Sequence, residues 1–172
     1  IKSAKKNLQL AEKYKFLKPA VGIHPQSPSE QIDKLEKLIN KKVVAIGECG
    51  LDFGDDYDQK KQMEVFRYQI ELSQKYKLPL IIHARKAVDE TVEVLKSYKN
   101  LSGVFHCYAG GNKRIKKIME LEGEWYFGID GNLTYEAGLV EVVKNIPKNR
   151  LVLETDCPYL TPVPFRGEIN KP

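Results

Sequence analysis

Short apolar runs alternate along this chain with segments of helical spacing, which predicts an α/β fold built on a parallel sheet. Residues 43–46, 80–82, 103–105 and 151–153 are such runs. Each leads into a histidine or an acid: Glu48, His83, His106 and, through Glu154 and Thr155, Asp156. Adding His24 after residues 19–23, five of about six strands end in a residue that can do chemistry. An open doubly wound sheet feeds its site from two or three loops, whereas a closed β/α barrel collects residues from many strand ends. The distribution favours the barrel. Eight βα units take about 250 residues, and this chain has 172. The expected architecture is a (β/α)8 TIM barrel present in part, as about six βα units lacking the first and the last, in a single domain over residues 1–172.

Each element has a local cause. Residues 2–15 place Ala4, Leu8 and Ala11 on one helical face. A short strand over 19–23 ends at His24 and Pro25. Ser27, Pro28 and Glu30 combine a capping serine, a first-turn proline and the acid of a capping box, and Ile32, Leu35, Leu38 and Ile39 carry that helix to about Asn40. A strand over 43–48 follows. Asp58 is placed to cap a long helix over 59–77, with Met63, Phe66 and Ile70 as its buried stripe. Then come a strand at 79–83, a helix marked by Val88, Val92, Leu95 and Tyr98, and a strand at 103–106. Gly110, Gly111 and Asn112 turn into a helix carrying Ile115, Ile118 and Met119. A strand at 125–129, a helix with Leu139, Val142, Val143 and Ile146, and a strand at 151–155 complete the pattern. The strands read as apolar on both faces. Beyond Asp156, Pro158, Pro162, Pro164 and Pro172 mark a draped loop.

Composition narrows the function classes. Hydrophobic residues make up 42% of the chain and charged residues 30%, as in globular domains. No apolar run reaches membrane-spanning length and the first residues carry no secretory h-region, so a cytoplasmic protein with no membrane partner is expected. A net charge of +5 suits a polyanion such as nucleic acid, although the basic residues form no stripe in the sequence. Cys49, Cys107 and Cys157 lack CxxC spacing, which argues against a disulfide framework or a zinc knuckle. Each follows a candidate ligand by one residue. Strand alternation then predicts that the ligand faces inward and the cysteine outward, a small buried thiol under the helices in a reducing compartment.

All three histidines of the chain, His24, His83 and His106, end strands. A lone histidine after an apolar run is ordinarily a hydrogen-bonded core residue. Three of three in that position, together with Glu48 and Asp156, form a donor set suited to zinc or manganese, or to magnesium where carboxylates dominate. Arg85 lies two residues beyond His83 and Tyr108 two beyond His106, so each shares its histidine's face if the strand continues. A guanidinium beside a metal site suits phosphate, and a surface ion pair is the plain alternative for Arg85. Asp52 is expected on the loop at the same mouth. Glu154 shares the face of Asp156 and can orient a ligand. The absence of GxSxG, Walker and Rossmann patterns leaves little support for nucleophilic serine or cysteine catalysis.

The segments VGIHP (21–25), GECGLDF (47–53), LIIHAR (80–85), VFHCYAGG (104–111), YFGIDGNLT (126–134), LETDCPYL (153–160) and RGEIN (166–170) resemble, in order and over essentially the whole chain, the TatD family of metal-dependent deoxyribonucleases. The resemblance implies a TIM barrel related to the amidohydrolases. It implies hydrolysis of DNA phosphodiesters, as an exonuclease on single-stranded ends, with two divalent ions (Mg, Mn or Zn) per site. Glu48 would bridge the ions, His83 and His106 would bind one, and Asp156 the other while acting as base or water-orienting group. His24 and Arg85 would line the pocket and contact phosphate; Tyr108 and Asp52, placed at the same mouth by spacing rather than by the resemblance, are the further candidates for binding substrate. The family's first strand ends in a His-x-His pair that this sequence lacks. Glu168 stands where the family usually has Lys and Lys171 where it usually has Glu, so no role passes to either. Cys49 stands where an apolar residue is usual. Two other readings stay open. One is an amidohydrolase-type enzyme cleaving C–N or C–O bonds of a small molecule, against which stands the lack of a strand-end lysine to bridge the ions. The other is an inactive or truncated barrel.

Overall fold

The computed structural model describes residues 1–28 and 32–172. Helices and strands alternate: α1 (Lys2–Lys13), β1 (Ala20–Val21), α2 (Asp33–Glu36), β2 (Ala45–Asp52), α3 (Gln59–Tyr76), β3 (Leu80–Arg85), α4 (Val88–Leu95), β4 (Ser102–Phe105), α5 (Asn112–Met119), β5 (Glu124–Ile129), α6 (Leu139–Val143) and β6 (Leu151–Leu153). The strands are hydrogen-bonded in chain order, and each pairing is parallel. This is the topology that alternating helices and strands dictate, because a parallel neighbour is reached only by a crossover. The sheet is open, with β1 and β6 at its edges. Among the described residues no helix is long and apolar enough to cross a membrane.

Parallel register explains the core. Ile46, Leu80, Gly103 and Trp125 pair in one row across four strands, and Ile82, Phe105 and Phe127 pair in the next row but one. These residues are buried. All but Gly103 share one cluster with Phe66 and Ile70 of α3, Val92 and Leu95 of α4, and Ile118 of α5. Fully burying side chains of this size stabilises by about 1.5–3 kcal/mol each. The intervening Ile81, His83, Val104 and Tyr126 are only partly buried. The strands expected to be apolar on both faces are thus unequally buried: one face lies against helices, and the other is partly exposed.

Several boundaries also move. Asp58 caps α3 as expected, its side chain accepting from the Lys61 amide at 2.9 Å. The helix expected to reach Asn40 is regular only over Asp33–Glu36 and continues in i→i+3 turns, Leu38 to Leu35 and Ile39 to Glu36. The last helix behaves alike, with Asn145 bonded to Val142 and Ile146 to Val143. The capping box at Ser27 and Glu30 involves positions outside the described residues. β2 does not stop at residue 48 but runs to Asp52, and β3 runs past His83 to Arg85.

Two glutamines of α3 tie the sheet to its helices. Gln69 accepts from the Ile23 amide at 2.8 Å and donates to its carbonyl at 3.0 Å. Gln62 does the same for Asp52, at 2.8 and 2.9 Å. Each side-chain amide satisfies a buried main-chain pair where no neighbouring strand does, a requirement that burial makes strict.

Close packing around the second strand gives a first prediction. Gly50 has φ +132°, and a Cβ there would lie 2.1 Å from the His83 carbonyl oxygen. Gly50→Ala is expected to destabilise the fold by about 2 kcal/mol or more. A Cβ added at Gly111 would meet nothing within 4 Å, so this position is the control and is expected to tolerate alanine within about 0.5 kcal/mol. Urea unfolding midpoints of the two variants check the contrast, and equal midpoints would refute it.

Candidate metal centre

Glu48 reaches the centre because β2 holds one residue too many. Gly47 pairs with Ile81 but Cys49, not Glu48, pairs with Ile82. Strict alternation from Ile46, which pairs with Leu80 on the helix-covered face, would put residue 48 on that same buried face. The bulge absorbs Glu48, a known way of re-aiming a side chain. Cys49 takes the place beside Ile82 and is fully buried. Glu48 instead lines a cavity of about 850 Å³ with His24, His83, His106 and Asp156.

Two groups of three donors converge there and share Glu48. His24, Glu48 and His83 form one, and Glu48, His106 and Asp156 form the other, with the ligand atoms of each group within 4.8 Å of one another. Glu48 Oε2 lies 3.5 Å from His24 Nε2 and 3.7 Å from His106 Nε2, and Asp156 Oδ1 lies 3.6 Å from that same His106 nitrogen. The histidine and carboxylate mix fits a divalent ion in each group. The division differs from the one the resemblance implies. His83 falls with His24, ring centroids 4.6 Å apart, and His106 falls with Asp156.

Carboxylates behind the donors aim them. Asp52 Oδ2 meets His83 Nε2 at 2.9 Å and also accepts from Gln26 Nε2 at 2.7 Å, while Oδ1 accepts from the Gly54 amide. Glu154 Oε2 meets His106 Nδ1, and its Oε1 accepts from the Cys107 amide at 2.6 Å. Gly128 makes the room, since a Cβ there would lie 2.0 Å from Glu154 Oε1. The two sides differ in charge. Burial holds the His24 and His83 pKa values below 6.5, in His83 despite Asp52. Burial also disfavours charge on His106, but Glu154, Glu48 and Asp156 outweigh it and push its pKa up to about 9. Burial raises the carboxyl of Asp156, with Glu48, Glu154 and Asp130 adding to it against the pull of His106.

The other expected residues fall in different places. Arg85 lines the cavity, its Nη1 paired with Asp55 at 2.7 Å and 3.7 Å from Asp52. Asp52 is corrected from a loop residue facing substrate to the last residue of β2, 0% exposed and occupied by His83. Tyr108 lines the cavity but is not on a continued strand, since β4 ends at Phe105; its hydroxyl donates to the Gly111 carbonyl at 3.2 Å and its ring meets Phe127 edge-on. The outward thiol is observed for Cys49 alone. Cys107, with φ +49°, and Cys157 border the cavity, because their strands end before them and alternation no longer applies. Gln26, Gln62, Gln69 and Gly128 escaped the sequence reading. Gln62 and Gln69, seven residues apart on the stripe of Phe66, are the polar interruption that could have signalled a clamp.

Metal affinity and protons are linked at this centre. A metal-binding histidine must be neutral. At pH 7 His106 carries a proton that metal binding there would expel, whereas His24 and His83, with pKa values held below 6.5, would release little. Affinity of the His106 group is therefore expected to rise with pH until about 9, with that of the His24 group nearly flat from pH 7 upward. Calorimetric titration in buffers of different ionisation enthalpy reads the proton release, and none at pH 7 would contradict this. Glu154→Gln should lower metal affinity roughly 10- to 100-fold and return the His106 pKa toward 6.5, visible by NMR of the imidazole.

The sequence model of one family, described as TatD related DNase, matches residues 1–172. YabD of Bacillus subtilis (strain 168), described as an uncharacterized metal-dependent hydrolase, is 39% identical over 175 residues, covering 96% of this chain and 68% of that protein. The solved structure of YjjV, a TatD homolog from Escherichia coli K12, superposes with a TM-score of 0.85 at 32% identity, covering 98% of this chain and 68% of that one. A TatD family hydrolase from Entamoeba histolytica gives a TM-score of 0.82 at 34% identity, covering 93% and 58%. The chain thus spans between 58% and 68% of the length of these proteins. With the fold, the shared glutamate and the whole-chain match in agreement, the chain belongs to the TatD family of metal-dependent hydrolases.

Proposed function

We propose that the intact protein hydrolyses DNA phosphodiester bonds, as an exonuclease at single-stranded ends. His24, Glu48 and His83 would hold one divalent ion, and Glu48, His106 and Asp156 a second. The observation that carries this reading is the sharing of one carboxylate between two donor groups. Ions in such a pair supply Lewis acidity toward the attacking and leaving oxygens of an in-line displacement at phosphorus.

The chain's own residues do the rest. Glu48 sets the two groups side by side, and Asp52 and Glu154 keep His83 and His106 turned toward the cavity. Asp156, its carboxyl raised by burial, accepts the proton of the attacking water. Arg85 presents a planar fork of donors at the cavity wall, suited to phosphate oxygens once Asp55 releases it. A cavity of about 850 Å³ is large enough for a nucleotide.

In the full-length protein, Glu48→Gln is expected to cut hydrolysis of 3′-ended single-stranded DNA on the order of 100-fold and to lower bound metal. Metal content by mass spectrometry and digestion rates on the same sample check this. Full metal and full rate would remove the assignment. Cyclic amides, esters and aminoacyl-RNA assayed beside the DNA substrate distinguish a C–N or C–O hydrolase, which would turn over one of them faster.

A further inference from the structure

A set of cations next to the metal centre takes no part in it. α5 carries Lys113, Arg114, Lys116 and Lys117 and no acid, and it buries Ile115 and Ile118. Arg114 lines the metal-centre cavity, and it also lines a second hollow of about 360 Å³ formed with Asp89, Lys113 and Lys117. Arg114 is the one residue that lines both spaces. Asp89, on α4, accepts from Arg114 Nε at 2.8 Å and from Lys117 Nζ at 2.7 Å. That carboxylate fixes two cations on the wall and offsets one charge, so three cations of the wall face a single acid.

A charged helix face is usually no more than a solvated surface. A lining residue shared with the metal-centre cavity distinguishes this one. A small substrate at the metal centre would leave the wall unused. A DNA strand carries a phosphate at every nucleotide and must leave the cavity along some path. The hollow lies at the low end of the sizes that bind an organic group, which suits one strand rather than a duplex.

Resting on the phosphodiesterase reading above, we propose that the strand flanking the scissile phosphate runs through the hollow between α4 and α5, its phosphates against Lys113, Arg114 and Lys117. The test uses full-length, metal-loaded protein with Lys113→Ala and Lys117→Ala combined, assayed on a long single-stranded oligonucleotide and on a dinucleotide. Two lost phosphate contacts on a single strand remove about 1.4 from the slope of log kcat/KM against log salt. The oligonucleotide KM should rise several-fold while the dinucleotide is cleaved as before, and Lys113→Arg with Lys117→Arg should behave as wild type. An unchanged oligonucleotide KM and salt slope would overturn the proposal, as would an equal loss on both substrates. Wild-type protein inert toward both substrates would instead sink the phosphodiesterase reading, and the strand path with it.

Discussion

A parallel ladder repeats every two residues, and that period has no place for an acid two positions beyond Ile46 except among the helices. The extra residue in β2 resolves the conflict. Glu48 is released into the cavity, Cys49 resumes the buried row beside Ile82, and Gly50 lies against His83. Small residues make this possible. A side chain at Gly22 would meet the backbone of Gly47 at 2.5 Å, and one at Gly50 the backbone of His83 at 2.1 Å. Both donor groups pass through Glu48, so the geometry of the centre depends on this single irregularity.

The centre is also an electrostatic compromise. Three histidines and two acids gathered in a partly buried space cannot all hold their ordinary charge. On one side burial keeps His24 and His83 neutral, and Asp52, fixed by Gln26, the Gly54 amide and His83, stays below the usual carboxylate range although burial works the other way. On the other side three carboxylates keep His106 protonated. The two halves thus differ in composition, two histidines and one acid against one histidine and two acids, and in proton content.

The clamps from α3 show how the fold fixes the strand ends around the site. The strand ends that carry His24 and Asp52 leave main-chain groups that no adjacent strand satisfies, and Gln69 and Gln62 complete them. A helix that supplies both apolar packing, through Phe66 and Ile70, and polar closure can fix the position of strand ends more tightly than packing alone.

Sequence periodicity alone set the topology and named the candidate donors. Alternating periodicity forces parallel strands and crossover helices, and apolar runs ending in His24, Glu48, His83, His106 and Asp156 announce donors at one end of the sheet. Glu154 could be placed beside Asp156 by counting residues, and the structure puts it on His106. Tertiary structure decided what counting cannot. The bulge at Glu48 depends on the register between β2 and β3, not on β2 alone. The burial of Asp52, the division of the histidines between two groups, and the turn of Cys107 toward the cavity arise where strands end or slip. Local periodicity carries no information at those points, because contacts distant in sequence set the backbone direction there.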